Sequence, residues 1–289
     1  MKTVVIFSYS RADLLKDCIE SVLTATDSSN WKKILVWQQG KKDVEEIVNK
    51  NKNFFDLTII TNGLEKTTLG NINFNRALGT STAFNMFNSE LVLGLEEDTV
   101  LSKDALVFCE FAINKFGRNR FFRGINLGSV EPRDPELENS FSLIRYACVS
   151  QASAITSKTW KKIKLNNLLK EIDKEGWDSR YERVTKTGFM VTPNNSRSLD
   201  RGWGGSHAPN NPEHKSFVGQ RLSFVDNYEN KGNWQLKQIK HNMRYDSIEF
   251  KVRHQLLFRV RYTRLGDHLA KLLKAKGSRE LFKAFKLSK

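Results

Sequence analysis

The sequence predicts an α/β fold in which a mostly parallel sheet is flanked by helices. Four short apolar runs occur within the first 100 residues, and the first of them is rich in β-branched residues. Segments with apolar residues at three- and four-residue spacings separate these runs, as in amphipathic helices. Polar residues directly follow three of the runs. Strands that alternate with helices in this way form βαβ units, whose strands are parallel.

The elements are assigned in order along the chain. The predicted strands are residues 4–7, 34–37, 57–60 and 91–95, and the predicted helices are residues 14–23, 43–49 and 77–88. Ser102 is placed to cap a further helix over residues 103–116. Beyond residue 120 the pattern loosens: residues 119–139 are polar, and the sequence predicts a strand over 144–155, a helix over 157–175 and a mobile glycine-rich loop over 202–212.

Three polar segments follow predicted strands and should lie near one another. They are residues 8–11, 38–40 and 96–98. Right-handed crossovers bring the carboxyl ends of parallel strands to one edge of the sheet. Open α/β sheets bind ligands in the crevice outside that edge. We therefore expect the three segments to form a ligand site.

The segment Glu96-Glu97-Asp98 contains three consecutive acids at the end of an apolar strand. Their mutual repulsion is relieved by a cation or by hydrogen-bond donors such as a ribose. Mg²⁺ and Mn²⁺ prefer carboxylate oxygens and keep positions open for substrate phosphates. The alternative is a solvated acidic turn, and the position at the strand end favours the ligand site.

Five motifs resemble, in order, those of the eukaryotic N-acetylglucosaminyltransferase I family, over roughly residues 2–225. The acidic passage LVLGLEEDTVLSKDALVFCEF is similar to the Glu-Asp-Asp region of that family, and the opening VVIFSYSRADLLKDCIESVL to its first strand, nucleotide-contacting turn and first helix. NINFNRALG, Trp177-Asp178 and PNNSRSLDRGWGGSH are similar to three further segments. The resemblance implies a glycosyltransferase-A type fold, a Rossmann-like mostly parallel sheet.

The resemblance also implies an activity, namely inverting, metal-dependent transfer of a sugar from a nucleotide-diphosphate donor to a glycan or lipid-linked acceptor hydroxyl. The donor would be a UDP-sugar, with UDP-GlcNAc as the first candidate, and the cofactor would be Mn²⁺ or Mg²⁺. The implied donor-binding residues are Ser8, Ser10, Arg11, Gln39, Asn73, Glu96, Glu97 and Ser206; Asp98 would bind the metal, and Asp178 would be the catalytic base.

Several positions depart from the family pattern. Glu97 replaces an aspartate, Gln39 stands in place of an aspartate that reads uracil, and Asn73 replaces a histidine. Ser179 replaces the second aspartate of a Trp-Asp-Asp element, which leaves the identity of the base open. These changes concern the donor more than the type of reaction.

Each motif also has a purely structural interpretation. Ser10 could cap the first helix. Trp177-Asp178 could be a packed tryptophan followed by a helix cap, and residues 202–207 could be an ordinary loop. A positioned carboxylate is nevertheless what a sugar hydroxyl needs to lose its proton as it attacks. The glycines of the loop would allow close backbone approach to phosphate and closure over the donor.

The net charge of +15 is concentrated at the C-terminus, where residues 251–289 contain twelve Lys or Arg and two acidic residues. Leucines recur at helical spacing with lysines between them. A basic amphipathic helix of this kind binds anionic membrane surfaces. The alternative is a helix docked on the catalytic domain. We accordingly divide the chain into a catalytic domain, 1–225, and a basic, partly helical extension, 226–289.

The spacing of the cysteines and the hydropathy of the chain indicate in which cellular compartment the protein is expected. Cys18, Cys109 and Cys148 are far apart and form no CxxC pair, which argues against a disulfide framework or a zinc knuckle. The first apolar run is too short for a signal peptide, and no stretch of roughly 18 apolar residues occurs. We expect a cytoplasmic protein that its basic tail can hold at the inner face of the membrane.

Three rival functions remain at this stage. A nucleic-acid-binding protein fits the charge but leaves the acidic triplet without a role, and no binding motif is present. A sugar nucleotidyltransferase normally carries a glycine-rich phosphate loop after the first strand, and residues 8–13 contain no glycine. A non-catalytic binding module is the third. Retention of Asp98 and Asp178 argues against this third possibility. We therefore expect an enzyme, and we expect no nucleic acid among its partners.

Overall fold

A computed structural model of the chain describes residues 1–63, 67–129, 133–144, 152–163, 187–203 and 234–239, together with residues 177, 181, 184–185, 211, 213, 221 and 224–226. The chain divides into two units, residues 1–241 and residues 242–289. The second unit lies wholly outside the described residues.

Eleven strands and five helices are described. The strands are β1 (Lys2–Ser8), β2 (Trp31–Gln38), β3 (Leu57–Thr61), β4 (Leu91–Glu96), β5 (Thr99–Leu101), β6 (Phe122–Asn126), β7 (Ser140–Ile144), β8 (Ala152–Thr156), β9 (Phe189–Pro193), β10 (Ser198–Asp200) and β11 (Gln235–Ile239). The helices are α1 (Ala12–Thr24), α2 (Lys42–Lys50), α3 (Thr68–Asn85), α4 (Ala105–Phe116) and α5 (Ser157–Ile163).

Nine strands form one sheet in the order β11-β7-β9-β6-β8-β4-β1-β2-β3. β1 lies between β2 and β4 and is parallel to both. β2 is parallel to β3, whereas β8 runs antiparallel to β4 and β6. β5 and β10 form a separate antiparallel pair. The predicted α/β class, with a mostly parallel sheet flanked by helices, is confirmed.

The centre of the sheet is buried on both faces, which is why its strands read as continuous apolar runs. Val4, Val5 and Ile6 of β1 are fully buried. Helix α3 packs closely on one face at Gly79, where a Cβ would lie 2.6 Å from Val36 and 2.8 Å from Val5. Only a residue without a side chain allows this approach.

The second half of the sheet is held by aromatic packing. Phe116 of α4 contacts Phe122, Phe141 and Phe189 with ring centroids 5.7 to 6.3 Å apart. Trp234 packs against Phe108, also of α4, at 4.6 Å. β11, which follows Trp234, pairs with β7 and is thus part of the main sheet. The predicted boundary at residue 225 remains a prediction.

Several sequence-based assignments differ from the structure. The predicted strand over 144–155 corresponds to two strands, β7 and β8, and β6 lies in a segment that we expected to be irregular. The helix predicted over 157–175 is confirmed over α5, and its remainder, 164–175, lies outside the described residues. Ser102 does not cap α4, because the N-cap residue is Asp104, to which Ser102 Oγ donates a hydrogen bond of 2.8 Å.

The third helix is the largest difference, since α3 begins at Thr68 and not at residue 77. Thr67 caps it by accepting a hydrogen bond from the N–H of Gly70 at 2.9 Å. The first half of the helix buries polar residues, including Asn73, Asn75 and Arg76. A buried polar face gives no apolar periodicity, so the pattern concealed this half.

No helix in the described part of the chain is both long and apolar enough to cross a bilayer.

Candidate functional site

The ends of β1 and β4 form the centre of the site. The two strands are adjacent and parallel, and Phe7 pairs with Glu96 at their carboxyl ends. From β1 the sheet continues in one direction to β2 and β3, and from β4 in the other to β8 and β6. Ligands of open α/β sheets bind at such reversals of strand order.

Glu97 joins the turn after β1 to the end of β4. Its carboxylate accepts hydrogen bonds from Ser8 Oγ at 3.0 Å, from the N–H of Tyr9 at 2.7 Å and from the N–H of Ser10 at 3.2 Å. Arg11 Nε donates a fourth at 3.1 Å. Four donors satisfy both carboxylate oxygens, so in this state Glu97 fixes the shape of the turn.

The same turn contains the predicted residues Ser8, Ser10 and Arg11. Arg11, not Ser10, is the N-cap residue of α1, so the capping alternative for Ser10 is wrong. The guanidinium of Arg11 bridges two acids, because Nη2 also donates to Asp98 Oδ2 at 2.5 Å. The predictions that this turn meets the nucleotide, and that Glu97 meets its ribose, remain predictions.

Asp98, the predicted metal ligand, is a buried carboxylate with one satisfied oxygen. Its side chain is 6% exposed. Oδ2 binds Arg11, whereas the buried Oδ1 has no hydrogen-bond partner within the described residues. The pKa of this carboxyl is raised to about 7, mainly by burial. The negative charges of Glu96 and Asp200 raise the pKa further, and the positive charge of Arg11 lowers it. Buried polar atoms are normally paired, so Oδ1 marks a place for a donor or a cation.

Asp200 is a second buried carboxylate that sequence reasoning missed. β10 pairs with β5 so that Asp200 is opposite Thr99, the residue after Asp98. The N–H of Gly202 donates to Asp200 Oδ1 at 2.7 Å, and the N–H of Arg201 donates to the carbonyl of Asp98 at 2.9 Å. Burial also raises the pKa of Asp200, with a smaller contribution from the charge of Glu96.

Gly202 shows how close the two acids are. A Cβ added there would overlap Asp98 Oδ2 and lie 2.9 Å from Asp200 Oδ1. Both carboxylates therefore face the same small volume beside the glycine backbone. No local pattern distinguishes Asp200 from a surface aspartate, because its partner strand is distant in sequence; its position just before the glycine-rich segment is the only signal.

A buried ion pair holds β10 against the site. The side chains of Arg197 and Asp104 are 0% and 1% exposed, with Nε 2.9 Å from Oδ1. The guanidinium also lies over the ring of Trp234 at 5.0 Å. The N–H of Ser102 donates to the carbonyl of Arg197 at 3.1 Å. Arg197 belongs to the segment PNNSRSLDRGWGGSH, and its contacts fix the backbone just before Asp200 and Gly202.

Glu96 and α3 form the other side of the site. Glu96 is partly exposed and forms an ion pair with the buried Arg76. Asn73, predicted to bind the donor, is fully buried, and its Oδ1 accepts a hydrogen bond from the N–H of Trp177 at 2.9 Å. Its role toward a donor remains a prediction.

Gln39 lies at the end of β2, the strand next to β1. Its N–H donates to the carbonyl of Thr61 at 2.8 Å, and its side chain is exposed. The preceding residue, Gln38, accepts a hydrogen bond from Asn75 of α3 at 3.4 Å. The third predicted segment therefore lies at the same edge of the sheet, one strand away from the acids.

Three predicted features lie outside the described residues. They are the base Asp178, the loop residue Ser206 with the neighbouring His207, and the basic tail 251–289. Trp177, which precedes Asp178, is described: it is buried and packs against Trp160 and Tyr181 at 5.6 and 6.2 Å.

The carboxylates fit a divalent cation in part. Within the described ranges, no three His, Cys, Asp or Glu side chains cluster in a way that could hold a metal ion. Magnesium-type sites nevertheless use only one or two carboxylates and complete their coordination with water and substrate phosphates. Asp98, with an unpartnered oxygen, and the adjacent Asp200 supply such a donor set.

Comparison with known proteins gives only distant likenesses. No family model matches the sequence, and no curated protein matches it significantly. Among solved structures, the chain is similar to S. aureus TarS 1-349, with 13% identity and a TM-score of 0.49 over 68% of this chain and 60% of that one. The match to a longer TarS structure covers 36% of that chain. The chain thus spans less than two thirds of the length of these proteins.

Two further structures contain bound nucleotide sugars. S. aureus TarS 1-349 in complex with UDP-GlcNAc has 12% identity and a TM-score of 0.48, over 93% of this chain and 69% of that one. The mannosyltransferase PcManGT from Pyrobaculum calidifontis, in complex with GDP-Man and Mn²⁺, has 11% identity and a TM-score of 0.42, over 68% and 57%. Likenesses at this level concern the fold alone.

Proposed function

We propose that this chain is a metal-dependent glycosyltransferase that takes a sugar from a nucleotide-diphosphate donor and transfers it to an acceptor hydroxyl. The observation that carries the proposal is the buried Asp98, whose Oδ1 has no partner among the described residues and whose side chain faces Asp200 at the reversal of strand order. Placing two acids side by side in a buried position costs stability. A site for a cation and its phosphate ligand explains that cost.

Asp98 and Asp200 would hold the Mn²⁺ or Mg²⁺ ion. When bound, such an ion neutralises a diphosphate and stabilises it as a leaving group. Gly202 keeps the space between the acids open, because any side chain there would fill it. The Arg197–Asp104 ion pair holds the strand that carries Asp200. These residues would hold the ion at the ends of paired strands.

Arg11 would bind the donor phosphates or the edge of the base. Its guanidinium already lies beside Asp98, and its Nη1 is buried without a hydrogen-bond partner in the described part of the chain. The N–H groups of Tyr9 and Ser10 are engaged by Glu97. Arg11 is therefore the cation of this turn that can serve a phosphate.

Asp178 would accept the proton of the acceptor hydroxyl. It follows Trp177, which is buried among aromatic rings and bonded through its N–H to Asn73. A carboxylate beside such a packed residue can be held in place and partly shielded from water. One base and an in-line displacement would invert the configuration at the anomeric carbon.

Release of nucleoside diphosphate tests this proposal directly. UDP-GlcNAc and GDP-Man, which are present in the two distantly similar structures, are the first donors to try, each with and without Mn²⁺ and with simple glycosides as acceptors. We expect metal-dependent release of UDP or GDP that is lost in Asp98→Asn. No release from any sugar nucleotide, together with salt-sensitive binding of DNA or RNA, would contradict the proposal.

We further propose that the basic tail brings the enzyme to an anionic membrane surface, which would suit a lipid-linked acceptor. A cationic segment gains about 1 kcal/mol per basic residue at such a surface. Twelve basic residues in 251–289 give a strong attraction if they are accessible. Co-sedimentation with vesicles tests this part separately from the chemistry.

A further inference from the structure

Arg76 is a buried cation at the edge of the site. Its side chain is 6% exposed, and its guanidinium forms an ion pair with Glu96, whose side chain is 36% exposed. The same guanidinium lies 5.1 Å from the ring of Phe7 and 5.9 Å from the ring of Trp177. It therefore contacts the end of β1, the end of β4 and the residue before Asp178 at once.

Helix α3 holds Trp177 at a second point. Asn73, one turn before Arg76, accepts the hydrogen bond from the N–H of Trp177. Gly94 of β4 lies beside this arrangement: a Cβ there would be in tight contact with Phe7, at 3.3 Å, and in ordinary contact with Arg76 Nη1, at 3.8 Å. The backbone and the ring of Trp177 are thus both fixed from one face of α3.

Stability alone does not explain an arginine at this position. The guanidinium of Arg76 is buried and loses its solvation, so the ion pair need be no more stabilising than an apolar residue of similar volume. An apolar residue could not orient the partly exposed carboxylate of Glu96. The planar guanidinium of Arg76 can orient it by donating hydrogen bonds in a fixed geometry.

We propose that Arg76 is a positioning residue that sets the Glu96 carboxylate for contact with the donor sugar and links it to the segment that carries Asp178. This inference rests on the proposed function. It predicts a specific defect: loss of Arg76 weakens recognition of the sugar and leaves recognition of the nucleoside diphosphate intact.

The test compares two affinities in Arg76→Met. One is for UDP-GlcNAc or GDP-Man, whichever the wild type binds, and the other is for the corresponding UDP or GDP, both measured by calorimetry with Mn²⁺. We expect the preference for the sugar nucleotide to fall about tenfold or more, as for loss of a charged hydrogen bond. Arg76→Lys should restore part of this preference because it retains the charge.

Arg123→Met is the matched control. Arg123 is also a buried arginine, 4% exposed, but it lies on β6 and donates through Nε to Thr187 Oγ1 at 2.7 Å. Its loss should reduce stability without changing the ratio of the two affinities. An unchanged ratio in Arg76→Met, or an equal change in Arg123→Met, would overturn the inference.

A second variant makes the test independent of the folding of Arg76→Met. Glu96→Gln removes the positioned group itself and should show the same loss of sugar preference. The double variant should be no worse than either single variant, because the two residues act as a unit. Additive losses would contradict the inference, whereas a wild type that binds neither sugar nucleotides nor nucleoside diphosphates would instead refute the proposed function.

Discussion

The buried carboxyl of Asp98 should make the free energy of unfolding depend on pH. In the folded chain the pKa of its carboxyl is raised from 3.8 to about 7, chiefly by burial. The folded state therefore keeps a proton that the unfolded state has already released. Stability falls as pH rises between about 4 and 7, since the unfolded state binds fewer protons in that range.

Asp98→Asn should remove this loss. In metal-free buffer with EDTA, the free energy of unfolding of the variant relative to wild type should rise by at least about 1 kcal/mol between pH 5 and pH 8. Urea unfolding at the two pH values measures the difference. Parallel pH dependences for the two proteins would show that Asp98 ionises normally.

Asp56→Asn is a control in which the pH dependence of stability should have the opposite sign. Burial alone would raise the pKa of Asp56, but hydrogen bonds from Lys32 and from the N–H of Lys33 outweigh it, and the pKa is lowered. Wild type should therefore gain stability over this variant as pH rises through the acid range. The two aspartates should thus respond in opposite directions.

Gly202→Ala tests the space between the acids. The added Cβ would overlap Asp98 Oδ2 and lie 2.9 Å from Asp200 Oδ1, so the carboxylates must separate. We expect Mn²⁺-dependent binding of UDP or GDP to weaken at least about tenfold, since metal sites require ligands held in place. Calorimetry measures the affinity.

Asp200→Asn is the companion variant, because it keeps the shape of the side chain and removes its charge. It should weaken metal-dependent binding without disturbing the fold. If Gly202→Ala and Asp200→Asn both bind metal and nucleotide as tightly as wild type, the second carboxylate has no part in the site.

At the scale of the elements, we expect the Arg197–Asp104 ion pair to hold β10 beside β5. Both side chains are fully buried. Arg197→Met leaves Asp104 as a buried, unpaired charge and should cost about 3–5 kcal/mol of stability. Urea unfolding measures this cost.

The exposed pair between Arg221 and Glu213, with side chains 37% and 71% exposed, is the matched control. Glu213→Gln should cost less than about 1 kcal/mol, as exposed pairs do. Equal effects of the two substitutions would mean that the buried pair does not hold β10.

The elements also show what local sequence patterns can predict. β1, β2, β3 and β4 were predicted within two or three residues, because central parallel strands are continuous apolar runs. The start of α3 was missed because its buried face is polar and faces the site. β5 and β10 were missed because short strands depend on pairing between distant segments.

At the scale of the whole molecule, topology explains why part of the site could be predicted. Once the strands are parallel, residues 8–11 and 96–98 must lie at the same edge, and they do. Asp200 and Arg76 could not be found in this way. Asp200 arrives through a separate strand pair, and Arg76 through a helix that packs over the strand ends.

The basic tail, residues 251–289, leads to a prediction about membrane binding. Replacing Lys271, Lys274 and Lys276 by alanine should weaken binding to vesicles rich in anionic lipid by about 3 kcal/mol, or roughly a hundredfold. Vesicle co-sedimentation measures the binding, and binding to neutral vesicles should not change.

The matched control replaces three exposed lysines at the two ends of α2 by alanine, namely Lys41, Lys42 and Lys50. It removes the same charge from another surface and should have a much smaller effect. Equal losses in the two triple variants would indicate attraction by net charge alone and would contradict a membrane-binding tail.

The metal site at Asp98 is tested most directly by calorimetric titration of UDP and of GDP into the 289-residue chain, with and without Mn²⁺, for wild type and Asp98→Asn. We expect wild type to bind one of the two nucleotides only when Mn²⁺ is present, and we expect Asp98→Asn not to bind it. Binding that is independent of Mn²⁺ and unaffected by the substitution would contradict a metal site at Asp98. Failure of wild type to bind UDP, GDP or any other nucleoside diphosphate would contradict the glycosyltransferase proposal itself.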